Sequence, residues 1–461
     1  MTGGDTIAAI ATAPGRGGVA VVRVSGSEAF GVAERIAGQE PQPGRVRFVR
    51  LRSPVPKVSR FKSKATEDVR RETTDVIDGG ILLAFKSPRS YTGEDVVEFQ
   101  CHGGTVTPRR VLEACLAAGA RLARRGEFTE RAFLNGKIDC AQAESVLDLI
   151  DAKTPRAADA ALEGLAGRRR RECRALYDLA LDLSTRLEHA LDVDEGELAD
   201  EYVRQLRAKS EELRGGIESA IRKANEGRLL RTGALVVLAG PPNAGKSSLL
   251  NALLEENRAI VSEVPGTTRD SIEAWIDLDG WPVRLVDTAG LRETEDELEG
   301  EGVKRAKELI AKADVVLALT DGGDRTVAAP FPSSSGAGAF PSSQTLAVHS
   351  KCDLSRGEGL NVSAKTGEGL EDLRREIVAR IGEKVAAADE GDAPEGDVTA
   401  YHEALALLCG GGETGDMRQE EDLVLLANAV RAAAERLGSA VGATYSTDML
   451  DKLFSRFCVG K

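Results

Sequence analysis

Residues Gly240–Ser247 read G-P-P-N-A-G-K-S, set between an apolar run, Ala234–Ala239, and a helical S-L-L-N-A-L-L. Eight residues in that order, leading from a buried strand into a helix, make a phosphate-binding loop, and the domain around such a loop is an α/β nucleotide-binding fold. The glycines let backbone N–H groups turn inward around β- and γ-phosphates, and the helix start adds its positive end. Lys246 brings a point charge to the same oxygens. The Ser247 hydroxyl is placed to bind Mg²⁺.

Four further segments downstream specify a guanine nucleotide. Val261–Asp270, V-S-E-V-P-G-T-T-R-D, has the character of a first switch, with Pro265 and Gly266 as its bend and Thr268 able to reach Mg²⁺ once a γ-phosphate is present. Val283–Val286 reads as a buried strand ending in Asp287-Thr288-Ala289-Gly290, where Asp287 holds Mg²⁺ through water and Gly290 offers its N–H to the γ-phosphate. Apolar strands at Asp314–Leu319 and Thr345–Val348 lead toward Ser350-Lys351-Cys352-Asp353, and a last one ends in Ser363-Ala364-Lys365. The spacing puts Asp353 where it accepts from guanine N1–H and the 2-amino group, which adenine lacks. The expected GTP contacts are therefore Asn243, Ala244, Gly245, Lys246, Ser247 and Ser248 in the loop, and Ser262, Glu263, Val264, Pro265, Gly266, Thr267 and Thr268 in the first switch. Asp287, Thr288, Ala289, Gly290, Lys351, Asp353, Ser363, Ala364 and Lys365 complete the set. Ser247 and Thr268 are the magnesium ligands.

Two positions depart from the common pattern. The usual base-reading motif is N-K-x-D, whose Asn amide bonds purine N7 and ties neighbouring loops together, and here Ser350 stands in its place. A hydroxyl donates one hydrogen bond where an amide donates two, so nucleotide affinity should fall by about 0.5–1.5 kcal/mol. Leu291 follows the Asp-Thr-Ala-Gly run where Ras-like proteins keep a water-orienting Gln. Charge compensation and water positioning must come from elsewhere, and the acidic segment Glu293–Glu301 reads mostly as a solvated loop.

Motifs at both ends of the chain carry a closer resemblance. They are G-R-G-G-V-A-V-V-R-V-S-G (Gly15–Gly26), Y-T-G-E-D-V-V-E (Tyr91–Glu98), H-G-G (His102–Gly104), R-G-E-F-T-E-R-A-F-L-N-G-K-I-D (Arg125–Asp139), A-Q-A-E (Ala141–Glu144) and the terminal F-C-V-G-K (Phe457–Lys461). With G-T-T-R-D (Gly266–Asp270) and D-T-A-G-L-R-E (Asp287–Glu293), the chain resembles the tRNA-modification GTPase MnmE (TrmE) family over essentially its whole length. The resemblance implies that K⁺ replaces an arginine finger, held by Asn243, Ser262, Val264 (through its carbonyl) and Thr267. Positive charge then lies where negative charge develops in the transition state. It implies Glu299 as the catalytic, water-orienting acid, acting through a bridging water rather than directly. Arg23, Glu98, Lys137 and Lys461 match tetrahydrofolate-contacting positions, for a 5-formyl or methylene derivative. It further implies a homodimer working with the FAD-binding partner MnmG (GidA) in a heterotetramer or larger complex on tRNA. The product is an aminomethyl or carboxymethylaminomethyl group on C5 of the wobble uridine, the flavin residing on the partner. A ribosome-assembly GTPase is the alternative, and a folate-dependent methyltransferase with a vestigial GTPase a third; the end motifs argue against the first and the intact Thr268, Asp287 and Gly290 against the second.

The expected fold class is a multidomain α+β and α/β chain. A folate-binding and dimerisation α+β domain spans 1–137, the two parts of a discontinuous helical domain span 138–230 and 383–461, and an inserted Ras-like P-loop GTPase domain spans 231–382. A chain of 461 residues fits about three domains. Alternating strands are expected at Gly18–Val24, Gly80–Phe85 and Asp95–Phe99, and helices at Glu28–Ala37 and Pro108–Ala118. Seven Cys with no C-x-x-C pair suggest free thiols in a reducing, cytoplasmic setting rather than disulfides or zinc. No run approaches the roughly 18 apolar residues of a membrane span, and I-A-A-I-A-T-A, without a basic flank, is no signal peptide. Nor is Cys458-Val459-Gly460-Lys461 a prenylation box, since its last residue is atypical and its upstream segment not polybasic. Cys458 is expected to be a buried structural thiol. Pro330–Ser343 reads as low-complexity loop. Pro41–Arg71 holds ten Lys/Arg against two acidic residues in a chain of net charge −13 and reads equally as a tRNA-phosphate patch or a solvated insertion.

Overall fold

The computed structural model describes residues 4–54, 75–192, 199–256, 273–288, 308–320, 344–386, 397–410, 420–441 and 454–460. Two compact units emerge. The first comprises Met1–Leu147 with Thr444–Lys461, and the second Asp148–Ala443.

In the first unit, β1 (Ile7–Ile10), β2 (Val19–Ser25), β3 (Arg47–Arg52), β4 (Val76–Phe85), β5 (Val96–His102) and β6 (Arg121–Leu122) form one sheet in the order β3-β4-β5-β2-β1-β6. All neighbours pair antiparallel except β1 with β6. Period-two alternation decides the faces. Ala20, Val22 and Val24 of β2 and Val97, Phe99 and Cys101 of β5 turn toward α1 (Ala29–Ala37) and α2 (Thr107–Ala117), whose Val32, Ile36, Val111 and Cys115 complete that core. Residues of opposite parity, Arg23 and Glu98 among them, lie on the other face. There Ile7 and Ala9 pack with Phe128 of α3 (Glu127–Leu134) and with Tyr91. Within α4 (Cys140–Asp151), at Leu147, the chain leaves this unit, and it returns at its end. Phe454 and Phe457 pack on Phe133, Cys140, Ala143 and Leu147, and Val459 bridges to Arg125. Phe457 thus anchors the terminal motif in this unit's core.

The helical part of the second unit is made of α5 (Pro155–Leu165), α6 (Arg168–Leu191) and α7 (Asp200–Thr232), joined near the end by α10 (Asp397–Gly410) and α11 (Glu420–Val441). Leu183 and Leu187 of α6, Leu206, Leu213 and Ile217 of α7, Ala404 of α10 and Val430 and Leu437 of α11 share one core, so segments from both sides of the intervening sheet close a single helical layer. That sheet contains β7 (Ala234–Ala239), β8 (Glu273–Leu278), β9 (Trp281–Asp287), β10 (Val315–Thr320), β11 (Thr345–His349) and β12 (Leu360–Asn361). Its order is β12-β11-β10-β7-β9-β8, parallel except for β8 at the edge. This is the Ras-like arrangement, with α8 (Lys246–Glu256) and α9 (Leu370–Ala386) covering it. β7 is buried at all six positions, as a central parallel strand covered on both sides must be. Only Gly233 separates α7 from β7. Its φ is +75°, and a Cβ there would lie 2.3 Å from the Trp275 ring, so glycine is required twice over.

Several expectations shift in detail. Arg47–Arg52, within the segment read as a basic insertion, is the edge strand of the first sheet, with Val49 and Leu51 buried in its core. Cys458 is exposed, and among the described residues of that motif Phe457 and Gly460 are the buried ones. The β8 strand and the β1 strand were not anticipated. Pro330–Ser343 lies outside the described residues. Among the described residues no helix is long and apolar enough to cross a membrane.

Candidate functional site

The parallel strands of the second unit end on one edge, and the loops leaving them carry the nucleotide motifs. Gly240 lets the loop pass close to β10, since a Cβ there would meet the Leu319 carbonyl oxygen at 2.6 Å. Asn243 takes a left-handed backbone, φ +63°, which Asn tolerates better than most residues. Ala244 is buried beneath the loop and Ser248 is exposed in the first turn of α8. Lys246, 6% exposed, folds over the loop and donates to the carbonyls of Gly240 (3.0 Å) and Pro241 (2.8 Å). Its ammonium therefore sits over the backbone of the loop itself.

Asp287, with no solvent exposure, ends β9 directly beside Leu238 of β7. Ser247 Oγ donates to Asp287 Oδ2 at 2.7 Å. A hydroxyl and a carboxylate oxygen side by side at the mouth of the loop are a donor set suited to a hard divalent cation. Thr288 donates to the Leu238 carbonyl at 2.8 Å, which seats the strand end against β7. Ala289, Gly290, Ser262, Glu263, Val264, Pro265, Gly266, Thr267, Thr268 and Glu299 lie outside the described residues, as does Lys461.

The base-reading elements meet the loop from the other side. Lys351 Nζ donates to the Asn243 carbonyl at 2.7 Å, and the Ser350 hydroxyl lies 2.7 Å from the Ala244 carbonyl oxygen. Ser363 Oγ donates to one oxygen of Asp353 at 2.7 Å, and its own backbone is pinned to Glu368 and Gly367. The Asp353 carboxylate is thereby oriented while the side chain remains exposed. Ala364 packs on the core and Lys365 is exposed. His349, buried just before this turn, places Nε2 2.8 Å from the Ser355 carbonyl oxygen. That contact braces the loop, and no local motif marks His349 for it.

The first unit holds a second polar constellation. Arg23 and Glu98 stand opposite each other on β2 and β5 and are joined at 2.8 Å, both largely buried. The Arg23 guanidinium lies 5.5 Å from the Tyr91 ring and 5.6 Å from the Phe128 ring. Burial pushes the Tyr91 phenol up, against the hydrogen bond with Thr129 and the Arg23 charge, so Tyr91 stays neutral. Lys137 donates to the Pro88 carbonyl at 3.0 Å, on the loop that bears Tyr91. An ion pair flanked by two aromatic rings is chemically apt for a flat, polar heterocycle. Tyr91 and Phe128 were not among the expected contacts, although both lie in the quoted motifs.

Other motif residues hold the scaffold. Glu127, 2% exposed, accepts from Arg121, Arg131 (3.2 Å) and the Arg124 N–H (2.7 Å). Arg131 also reaches Glu94 and Asp5. Burial alone would raise the Glu127 carboxyl, but the bonds from Arg121 and Arg124 outweigh it and hold the group at about 2. His102 turns both its N–H and its ring Nδ1 to Asp78, each at 2.8 Å.

The family model described as GTP-binding protein TrmE N-terminus matches residues 6–137, and that of the MnmE helical domain matches 140–458. Among curated proteins, tRNA modification GTPase MnmE of Nitrosospira multiformis is 40% identical over 483 residues, covering all of both chains. The protein of the same description from Azoarcus sp. is 41% identical over 476 residues, 99% of this chain and 98% of that one. The one from Symbiobacterium thermophilum is 41% identical over 472 residues and covers both chains fully. With the P-loop edge, the paired Arg23 and Glu98 and the end motifs all lying within these matches, the chain belongs to the tRNA modification GTPase MnmE family.

Proposed function

We propose that this chain hydrolyses GTP at the loop between β7 and α8 and applies that cycle to modification of the wobble uridine of tRNA. The coarser activity, a GTP hydrolase of tRNA modification, rests on relatives about 40% identical along the full length. The observation that most supports the site is the meeting of Lys246, Ser247 and Asp287 at one sheet edge, with Asp353 oriented nearby by Ser363.

Lys246 and the loop N–H groups bind the β- and γ-phosphates, and Asp353 selects guanine. Ser247 and Thr268 are the residues that would hold Mg²⁺, with Asp287 acting through water. Bound there, the ion neutralises phosphate charge. Asn243, Ser262, Val264 and Thr267 would hold K⁺, which adds positive charge in place of the missing arginine finger. Glu299 orients the attacking water in the position left by Leu291. Arg23, Glu98, Lys137 and Lys461 would hold a tetrahydrofolate derivative, whose one-carbon unit supplies the methylene. The partner is the FAD-binding MnmG, with the chain acting as a cytoplasmic homodimer. Its domains are folate-binding (1–137), helical (138–230 and 383–461) and GTPase (231–382), with the last residues of the second helical part packed on the folate-binding unit.

The test is GTP turnover by the full chain in KCl and in NaCl at equal ionic strength, with ATP as competitor. Strong stimulation by K⁺ without ATP use is the expected result. Equal rates in both salts would remove the Asn243 ion site, and use of ATP would remove the guanine assignment.

A further inference from the structure

We propose that the base site of this chain reads guanine without a hydrogen bond to purine N7, and that Ser350 is the residue responsible. The inference rests on the GTPase reading of the same site and concerns how that site selects its nucleotide. Ser350 is 4% exposed, and its hydroxyl faces two backbone acceptors, the Ala244 carbonyl at 2.7 Å and the Thr320 carbonyl at 2.9 Å. A hydroxyl has a single proton. With two carbonyl oxygens, neither of which can donate, at hydrogen-bond distance, that proton stays within the protein.

The neighbouring donors are also directed at protein oxygens. The Ser350 N–H goes to Thr320 at 2.8 Å, the Cys352 N–H to Val362 at 3.1 Å and the Lys351 ammonium to Asn243 at 2.7 Å. An Asn at this position has two amide protons and serves both tasks, tying the P-loop to its neighbour and donating to N7. Serine keeps the tie, joining the P-loop at Ala244 to the end of β10 at Thr320, and gives up the base contact. Selection of guanine over adenine then falls on Asp353, whose carboxylate is held by Ser363. The imidazole side of the purine goes unread.

The experiment is competitive displacement of a fluorescent guanine nucleotide from the full chain with Mg²⁺, using GDP and 7-deaza-GDP, in which N7 is replaced by C–H and the Watson–Crick edge is unchanged. The wild-type chain should bind the two within about twofold of each other. In Ser350→Asn the regained amide should favour GDP by about threefold to tenfold, the range of one neutral hydrogen bond. A wild-type preference for GDP of fivefold or more would overturn the proposal whatever the variant does. Binding of neither nucleotide would overturn the GTPase reading itself, and the proposal with it, and is distinct from binding with discrimination.

Discussion

The two sheets hold their polar residues in different ways. In the mostly parallel sheet β7 to β12 the central strand β7 is buried and apolar throughout, and Lys246, Ser247, Asp287, Ser350 and Asp353 gather where strands end. In the mostly antiparallel sheet β1 to β6, Arg23 and Glu98 sit in mid-strand on one face, already joined to each other, and the charged residues of α3 are tied into a network with Asp5 and Glu94. A central parallel strand covered on both sides leaves polar chemistry to its end, whereas alternating antiparallel strands can place it anywhere along one face. The first arrangement concentrates function in contiguous motifs. The second disperses it and ties it to the stability of the scaffold.

If that contrast is right, damage in one region should leave the other intact. Both Trp residues, Trp275 and Trp281, belong to the second unit, so their fluorescence reports on that unit alone, whereas far-ultraviolet circular dichroism reports on both. We predict that Glu127→Ala, which removes a carboxylate shared by Arg121 and Arg131, destabilises the first unit by about 3 kcal/mol. In urea, the dichroism transition should move to lower concentration while the fluorescence transition stays. Joint movement of both would mean that the two regions unfold as one, and the contrast would fail.

Lys246→Ala is the converse. GTP turnover should fall about a hundredfold or more, as for loss of a charge-stabilising donor, with the dichroism transition of the first unit unchanged. Glu299→Ala should keep GTP binding and lose most turnover; unaltered hydrolysis there would end the role assigned to it. A smaller effect is expected for Arg23→Ala, which should weaken 5-formyltetrahydrofolate by roughly tenfold or more in calorimetry, the scale of one charge-assisted hydrogen bond. GTP turnover without the folate should be untouched.

The gentlest perturbation is protonation. Glu127 is held at about 2 against an ordinary value of 4.5, a lowered pKa, so its contribution is complete above pH 4.5 and is lost as pH falls from 4.5 toward 2. The first unit should weaken over that window, and Glu127→Gln should flatten the part due to this residue. A wild-type dichroism midpoint that does not move between pH 5 and pH 3 would contradict the network's role.

The same contrast explains what could be read from the chain alone. The eight residues of the P-loop announce themselves because strand, loop and helix are consecutive, and β7 is found at the residues expected for it, Ala234–Ala239. Ser350 was visible as a departure, but not that its hydroxyl meets Ala244, 106 residues away. Arg131 and Glu127 are a visible i, i+4 pair, yet Asp5 joins them from 126 residues upstream, and nothing local signals it. The strand Arg47–Arg52 alternates plainly, with Val49 and Leu51 inward, but its arginines drew attention to charge instead of period. Cys458 was expected inside because cysteines usually are, while Phe454 and Phe457 had already filled that core.

Helix α7 belongs to two cores. Leu206, Leu213 and Ile217 pack in the helical layer, Leu229 and Leu230 pack beneath the sheet, and one glycine later the chain becomes the strand that leads to the P-loop. At 33 residues the helix is a rod roughly 50 Å long. A continuous α-helix resists bending and twisting far better than a loop, and this one runs into the strand whose far end opens into the phosphate loop. The helical layer and the sheet thus share one covalent and packed element, with Gly233 the single residue between its helix and the strand.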